Sequence, residues 1–273
     1  MSDEQFAVEP GVIFVTTYGS VTVETTQSLV LLTRHIERQG LNNIDIRLVV
    51  NTLVDKARNE CVQQMLNTPA KWMLFIDADM DFKPEILNVL LETAFNSCKW
   101  ADIVGGYCCL RGWPYMPTMD TGTGTWEPWE YNIGPREVMR TGAACMLIKR
   151  HVLERMEQPW FGVRPIPRPL DIMYEFDNYC NQKLDGRNPF RKLPEWDALE
   201  HAAAEESGKP PLSTVGEDSG FCDRAKALGF RIVVQTNATL GHVSRQVITG
   251  DDHTKAMKEQ RDNENLACGV LPL

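Results

Sequence analysis

Strands and helices alternate from residue 12 to residue 104, and this order constrains the fold more than any other feature of the sequence. Apolar runs typical of buried strands occur at 12–17, 44–50, 72–76 and from 103. Segments with helical spacing of apolar residues lie between them, at 25–38, 55–66 and 84–97. This order predicts an α/β fold with a mostly parallel central sheet and helices on both faces. Ligands of such sheets bind beyond the carboxyl ends of the strands.

Three aspartates follow the third apolar run at alternate positions: Asp77, Asp79 and Asp81. Alternate side chains of an extended chain share a face, so we expect Asp77 and Asp79 to project together where the strand leaves the sheet. Their oxygens suit a hard cation such as Mg²⁺ or Mn²⁺, which keeps coordination positions for water and substrate phosphates. A solvated acidic turn is the alternative interpretation of an isolated Asp-x-Asp.

The second half of the chain is less regular. Residues 111–136, rich in Gly, Pro and aromatic residues, are predicted to form a long loop, and loops of that length are usually functional or mobile. A strand at 141–148 and a short helix at 150–156 follow. Residues 160–213 contain seven prolines without clear periodicity, which indicates an insertion. Order returns with a predicted helix at 218–228 and a strand at 231–235.

Polar side chains flank these last two elements. Glu217 and Asp218 lie at the start of the helix, where the helix dipole favours an ionised carboxylate that can accept a proton. An acid here is also an ordinary N-cap. His242 follows the last strand, in a chain whose acidic metal site needs a further ligand. A lone histidine is otherwise more often structural.

Charge and cysteine content limit the function classes. The net charge of -9 argues against a generally basic nucleic-acid binder, although residues 149–192 hold nine Lys or Arg against six acids. The eight cysteines include no Cys-x-x-Cys pair, and Cys61, Cys98, Cys145 and Cys222 lie in apolar patterns. They are predicted to be reduced core thiols of a cytoplasmic protein. The sequence also contains no recognisable signal peptide or membrane-spanning stretch, so a soluble protein without a membrane partner is expected.

Four segments, taken together, resemble the ordered motifs of the GT-A glycosyltransferases, in the style of the family-2-like group of phages and bacteria. The segments are 57–59 (Ala-Arg-Asn), 75–82 (Phe-Ile-Asp-Ala-Asp-Met-Asp-Phe), 216–225 (Gly-Glu-Asp, then Phe-Cys and Arg-Ala) and 241–242 (Gly-His). The resemblance covers about residues 11–115, 138–152 and 214–244. It implies a GT-A (Rossmann-like) fold with an acceptor-side insertion at 160–213, which has no counterpart that we can place.

The resemblance also implies residue roles. Asp77 would contact the ribose of a nucleoside diphosphate sugar, with a UDP-sugar as the expected donor, while Asp79 and His242 would bind Mn²⁺ or Mg²⁺. Asp218 resembles the catalytic base of the inverting members, with Glu217 as second choice. The donor-binding residues would be Thr16, Thr17, Tyr18, Arg58 and Asn59, the first three lining the nucleobase pocket. Asp81 has no assigned family role and is expected to be an acid that leads into the helix at 84–97.

The predicted domain organisation follows from these segments. Residues 1–244 would form a single catalytic domain, and 245–273 a C-terminal tail. Within the domain, 11–115 would bind the nucleotide sugar, 116–215 would face the acceptor, and 216–244 would supply the catalytic helix and the metal-ligand strand.

Rival functions differ in what they require. A nucleotidyltransferase would need a Gly-rich phosphate loop after its first strand, and Thr16-Thr17-Tyr18-Gly19 is not one. A polymerase or nuclease would need a more basic surface. A non-catalytic nucleotide-sugar-binding module stays open, although it would not need Asp218.

The acceptor is the least constrained part. One hypothesis is DNA with 5-hydroxymethyl- or hydroxypyrimidines, as in phages, whose phosphates the basic segment 149–192 could hold. Aromatic residues could stack on a base drawn out of the duplex; the candidates are Trp113, Trp126, Trp129 and Trp160. A protein, glycan or small-molecule acceptor is the alternative, and the sequence leaves the oligomeric state open.

Overall fold

A computed structural model describes residues 8–51, 53–110, 117–122, 132–162, 164–167 and 212–244. The chain divides into two compact units, Met1–Val243 and Ser244–Leu273. The architecture below is that of the first unit.

The described part contains twelve strands and five α-helices. The helices are α1 Val23–Arg38, α2 Val54–Leu66, α3 Ile86–Glu92, α4 Arg150–Arg155 and α5 Glu217–Ala227, and a π-helical turn, Thr93–Ser97, continues α3. The strands are β1 Gly11–Thr17, β2 Ile44–Val50, β3 Trp72–Asp77, β4 Met80–Phe82, β5 Ile103–Tyr107, β6 Met119–Asp120, β7 Pro135–Val138, β8 Arg140–Thr141, β9 Cys145–Lys149, β10 Arg164–Pro167, β11 Leu212–Val215 and β12 Ile232–His242.

Eight strands form the central sheet, in the order β2-β1-β3-β9-β5-β12-β4 with β7 paired to β12. Strands β2, β1, β3, β5 and β12 run in one direction, since β1 pairs in parallel with both β2 and β3, and β5 with β12. Strand β9 runs the opposite way between β3 and β5. The predicted α/β class with a mostly parallel sheet is therefore confirmed. The short pairs β6-β8 and β10-β11 lie outside this sheet.

Alternation along the strands supplies a hydrophobic core on each face of the sheet. On β1, Val12 and Phe14 join one cluster, while Ile13 joins the other. Helix α2 packs on the first face, and helices α1 and α3 pack on the second. A fully buried side chain of this size contributes about 1.5–3 kcal/mol relative to exposure. The predicted helices on both faces are confirmed.

Local signals in the sequence explain where several helices begin and end. Helix α1 begins after Thr22, whose hydroxyl accepts a hydrogen bond from the Thr25 amide at 3.2 Å, as an N-cap residue does. Gly40 follows the helix with φ of 67°, a left-handed conformation that glycine adopts without strain. Gly229 ends α5 in the same way, at φ of 86°.

Three elements differ from their predictions. The predicted strand at 141–148 is two strands, β8 and β9, separated by a turn at 142–144. The predicted strand at 231–235 continues to His242, through a register shift between Gln235 and Thr239. Asp81 lies on β4, where it accepts a hydrogen bond from the Ser28 hydroxyl at 3.3 Å, so its predicted place at a helix start was wrong.

The predicted loop at 111–136 and insertion at 160–213 lie largely outside the described residues. At its start, however, the insertion belongs to the core: Trp160 and Phe161 are 3% and 1% exposed. The Trp160 indole N–H donates to the Leu153 carbonyl at 2.9 Å. The suggestion that Trp160 stacks on a nucleic-acid base was therefore wrong, because its ring is packed inside the protein.

The four cysteines assigned to apolar patterns, Cys61, Cys98, Cys145 and Cys222, are buried and unpaired, as predicted. Burial raises the pKa of the Cys61 and Cys222 thiols from 9.0 to about 12. Neither is therefore a thiolate at neutral pH. No helix in the described ranges is long and apolar enough to cross a membrane.

Candidate functional site

The carboxyl ends of β1 and β3 lie side by side, because the two strands pair in parallel with Thr16 opposite Asp77. The Thr16 hydroxyl donates to Asp77 Oδ1 at 3.1 Å. The Asp77 amide donates to the Ala144 carbonyl at 3.0 Å, which places the turn before β9 at the same edge. The first acid of the motif is therefore held by its neighbours on the sheet rather than projecting freely.

Arg58 of α2 reaches this edge from the face of the sheet. Its Nη2 donates to both carboxylate oxygens of Asp77, at 3.1 and 3.3 Å, and its Nη1 donates to Glu217 Oε1. Burial lowers the pKa of Arg58, but the charges of Asp77, Glu217 and Asp218 outweigh burial and the pKa is raised overall. Arg58 is therefore a permanent cation between two acids that lie far apart in the sequence.

Glu217 and Asp218 open α5, and their surroundings differ. Burial raises the pKa of Glu217, although Arg58 beside it acts in the opposite direction. Asp218 Oδ1 accepts from the Ser219 amide at 2.6 Å, so that oxygen is oriented by the helix backbone. Its other oxygen, Oδ2, would lie 3.7 Å from a Cβ atom placed on Gly142. Such a Cβ would contact this carboxylate only at van der Waals distance and would lie closer to Thr118, at 3.0 Å.

Asp79 lies in the turn between β3 and β4, next to the end of β12. The antiparallel pairing of β12 with β4 sets His242 opposite Met80, and the Val243 amide donates to the Asp79 carbonyl at 2.8 Å. The His242 ring nitrogen Nε2 lies 3.6 Å from Asp79 Oδ1. The structure thus brings together the two residues predicted as metal ligands.

The second ring nitrogen of His242 bears on whether this pair fits a metal ion. Nδ1 lies 2.8 Å from the Cys109 carbonyl, which can only accept, so Nδ1 carries a proton and donates. Metal-binding histidines commonly hold their other nitrogen in this way. A carboxylate and an imidazole so arranged fit two ligands of a divalent cation. Among the described residues no group of three or more His, Cys, Asp or Glu is arranged to bind a metal ion.

The residues after β1 form a turn at the same edge. The Thr17 hydroxyl donates to the Ser20 carbonyl and accepts from the Gly19 amide, the latter at 3.2 Å. Gly19 has φ of 116°, which a side chain would strain. Tyr18, at the tip of this turn, is 71% exposed. Thr17 therefore shapes the turn, and the Tyr18 ring is accessible to a flat ligand.

Asn59 lies apart from the acids. Its Nδ2 donates to the carbonyls of Asp55 and Phe161, both at 2.7 Å, and its Oδ1 accepts from the Phe161 amide at 3.1 Å. The amide group is thus occupied by backbone partners. In this geometry Asn59 fastens the start of the predicted insertion to α2 instead of facing the acids with Arg58.

Two features of the site were missing from the sequence analysis. The first is the bridge from Asp77 through Arg58 to Glu217, in which Arg58 and Glu217 lie 159 positions apart in the sequence. The second is the Cys109 carbonyl that orients His242. For the Arg58 bridge the sequence contained one signal: crowded acids require a nearby cation. Arg58, in the motif Ala57-Arg58-Asn59, was the candidate for that cation. A backbone carbonyl leaves no signal in the sequence.

The fold and the site define an α/β protein with acids gathered at the carboxyl edge of a mostly parallel sheet. No protein-family model matches the sequence, and no curated protein matches it. Solved structures do show likeness. A197 from STIV is 18% identical, over 88% of this chain and 97% of that one, with a TM-score of 0.48.

Two further solved structures are similar at lower TM-scores. A glycosyltransferase involved in the glycosylation of the major capsid of PBCV-1 is 15% identical, over 55% of this chain and 68% of that chain, with a TM-score of 0.33. TarS 1-349 from S. aureus, in complex with UDP-GlcNAc, is 14% identical over 88% of this chain, with a TM-score of 0.43. The match spans 60% of the TarS chain.

Proposed function

We propose that this protein is a metal-dependent glycosyltransferase of the GT-A type, which moves a sugar from a nucleoside diphosphate sugar to an acceptor hydroxyl. The observation that carries the proposal is the meeting of three elements at one edge of the sheet. Asp77 ends β3, the Asp79–His242 pair joins the β3–β4 turn to β12, and Asp218 lies in the first turn of α5. Donor binding, metal binding and proton transfer require three such separate positions.

The donor would lie across the carboxyl ends of β1 and β3. Tyr18 is exposed at the tip of the turn after β1, and its ring suits stacking on a nucleobase. Asp77, oriented by Thr16 and Arg58, is placed to accept hydrogen bonds from a ribose. A uracil base is assigned from the family resemblance, so UDP-sugars are the first donors to test.

Asp79 and His242 would hold the divalent ion, and their chemistry favours Mn²⁺ over Mg²⁺ because one ligand is an imidazole. When bound, such an ion supplies positive charge that stabilises the departing diphosphate. The position of His242 is set in advance by its bond to the Cys109 carbonyl. This ligand would therefore be oriented before the donor arrives.

Asp218 would act as the general base of an inverting transfer. As the acceptor oxygen attacks the anomeric carbon, its proton passes to Asp218, a bond forms between oxygen and carbon, and the bond from carbon to the diphosphate breaks. A positioned base of this kind contributes about two to four powers of ten to the rate. The partial exposure of Asp218 leaves it reachable by an acceptor.

Calorimetry with UDP in Mn²⁺ or in EDTA tests the proposal. We expect UDP to bind in Mn²⁺ and its affinity to fall at least tenfold in EDTA or in Asp79→Ala. Asp81→Asn is the matched control, since the third acid of the motif bonds Ser28 and should leave UDP affinity unchanged. Equal UDP affinity with and without metal would contradict the proposal. If donor binding is normal but no donor is ever consumed, a non-catalytic binding module is the better description.

For the acceptor we propose a hydroxylated or hydroxymethylated pyrimidine in DNA as the first substrate to test. The support is the surplus of basic residues at 149–192. Trp160 no longer supports base stacking, and Trp113, Trp126 and Trp129 lie outside the described residues. Incubation of DNA containing 5-hydroxymethylcytosine with UDP-sugars and Mn²⁺, followed by nucleoside mass spectrometry, should reveal a sugar adduct. Donor hydrolysis without any adduct would exclude this acceptor and leave a protein, glycan or small molecule.

A further inference from the structure

Arg58 is the one charged residue among the buried side chains whose exposure the structure describes, at 3% exposure. It contacts both halves of the site, since its two terminal nitrogens bond Asp77 on β3 and Glu217 on α5. Neither partner is deeply buried: their side chains are 25% and 15% exposed. A ligand can therefore approach the two acids while the cation between them stays inside the protein.

The surroundings of Arg58 are apolar and tightly tied to α5. Its guanidinium carbon lies 6.0 Å from the ring centroids of both Phe75 and Phe161. Phe161 in turn stacks on Phe221 of α5, with centroids 4.5 Å apart and planes at 10°. Charges in such surroundings interact more strongly than at the surface, and removing one partner leaves the other uncompensated.

The first turn of α5 contains both Glu217 and Asp218. Its N-cap is Gly216, which provides no side-chain capping bond. The ion pair of Glu217 with Arg58 is therefore the charged link between this turn and the sheet. Asp218 is the next residue of the same turn, so the position of the turn also determines the position of Asp218.

We propose that Arg58 is a positioning residue, which fixes the first turn of α5 through Glu217 and thereby sets the place of Asp218 relative to Asp77. Glu217 then serves as a fixed anion and not as the base. This inference rests on the proposed function for its catalytic part. Its structural part, the hold on the α5 turn, does not depend on that function.

Hydrogen exchange tests the structural part without any substrate. The Gly220 amide donates to the Gly216 carbonyl at 2.8 Å, so it reports on the first turn of α5. We expect Glu217→Gln to speed exchange at this amide at least tenfold. The matched control is Asp223→Asn, which removes the bidentate partner of Arg140 from the same helix and should leave the Gly220 amide unchanged. Native exchange in Glu217→Gln would overturn the proposal.

The catalytic part is tested by the pH dependence of UDP release from UDP-glucose and UDP-N-acetylglucosamine. We expect Glu217→Gln to keep about a hundredth to a tenth of the wild-type rate, with KM within threefold and an unchanged pH profile. Arg58→Lys should retain more activity than Arg58→Met, because lysine keeps the positive charge. It should still be less active than the wild type, because lysine cannot bridge two carboxylates. Loss of the pH-dependent limb in Glu217→Gln would make Glu217 the base and overturn the assignment.

The hydrogen-exchange and kinetic experiments distinguish a failure of this inference from a failure of the proposed function on which it rests. If wild-type protein fails to bind UDP in Mn²⁺, the proposed glycosyl transfer is wrong, yet exchange at Gly220 still decides whether Arg58 positions α5. If UDP binds and Asp218→Asn is inactive while Glu217→Gln is fully active, the proposed function stands and the positioning role is refuted.

Discussion

At the residue scale, three neighbouring acids differ in what holds them, and this difference separates their roles. Asp77 is fixed by Thr16 and Arg58, and Asp79 faces His242. Asp218 is oriented by its own helix backbone and borders the space that Gly142 leaves. In the proposed function, Asp218 is the acid assigned to general base catalysis.

Asp218→Asn should therefore lower donor turnover by about two to four powers of ten, while the affinity for UDP with Mn²⁺ changes less than threefold. The amide keeps the shape of the side chain but cannot take the proton from an attacking hydroxyl. UDP release under saturating donor and calorimetry measure the two quantities. Asp223→Asn, on the same helix, is the control and should turn over at the native rate. Near-native turnover of Asp218→Asn would refute its assignment as the base.

Single residues also show how far the sequence alone could lead. The family resemblance implied that Asp79 and His242 act as a pair, and the two side chains do lie together, with His242 Nε2 3.6 Å from Asp79 Oδ1. The bridge through Arg58 was not predicted, since the predicted place of Arg58 was at the base or diphosphate and its partner Glu217 lies 159 positions away. Asn59 was grouped with Arg58 by the motif, yet it bonds the backbone of Phe161. Neighbours in sequence on a helix point in different directions.

At the scale of elements, helices and strands with local signals were predicted well. Helix α1, with its cap and its closing glycine, begins two residues before the predicted start at 25. The elements that differed depend on distant partners. Strand β12 reaches His242 because it pairs with β4 as well as β5, across an irregularity in register. The break between β8 and β9 lets Gly142 approach Thr118 and Asp218, and no periodicity records such an approach.

The cap of α1 gives a test at this scale. Thr22→Ala should reduce the free energy of unfolding by about 1 kcal/mol, because the Thr25 amide loses its acceptor at the helix start. Urea unfolding measures the difference. Thr33→Ala is the matched control: that exposed hydroxyl bonds the Leu29 carbonyl within the helix, and alanine there should be neutral or slightly stabilising. Equal losses for both variants would show that the cap adds nothing beyond helix propensity.

At the scale of the whole molecule, the order of elements predicted the sheet but not the direction of every strand. Five strands share one direction, as alternating strands and helices require. Strand β9 is reversed between β3 and β5, and the composition of the stretch that precedes it indicated only a loop. Because β9 is reversed, its amino-terminal side, with Ala144, lies at the ligand edge beside Asp77. The reversal thus helps to build the site.

Buried thiols in both cores make the stability of the whole molecule sensitive to alkaline pH. Burial raises the pKa of Cys61, Cys108 and Cys222 from 9.0 to about 12, and raises that of Cys145 as well. In the unfolded chain these thiols ionise near pH 9, while in the folded protein they stay protonated. The folded state therefore binds more protons above pH 9, so stability falls as pH rises from about 9 towards 12. Lys149, whose pKa is lowered by burial, acts in the opposite direction but is a single group.

We expect the free energy of unfolding to drop by about 1 kcal/mol for each buried thiol between pH 8 and pH 10. Because several thiols are buried, their contributions add to a larger loss of stability. Urea unfolding at the two pH values, in the presence of a reducing agent, measures it. Cys61→Ala supplies the control: it should be less stable at both pH values because of the cavity it leaves, yet lose less stability between them, since one titrating thiol is gone. A loss between pH 8 and pH 10 that is the same in Cys61→Ala as in the wild type would assign the alkaline sensitivity to other groups.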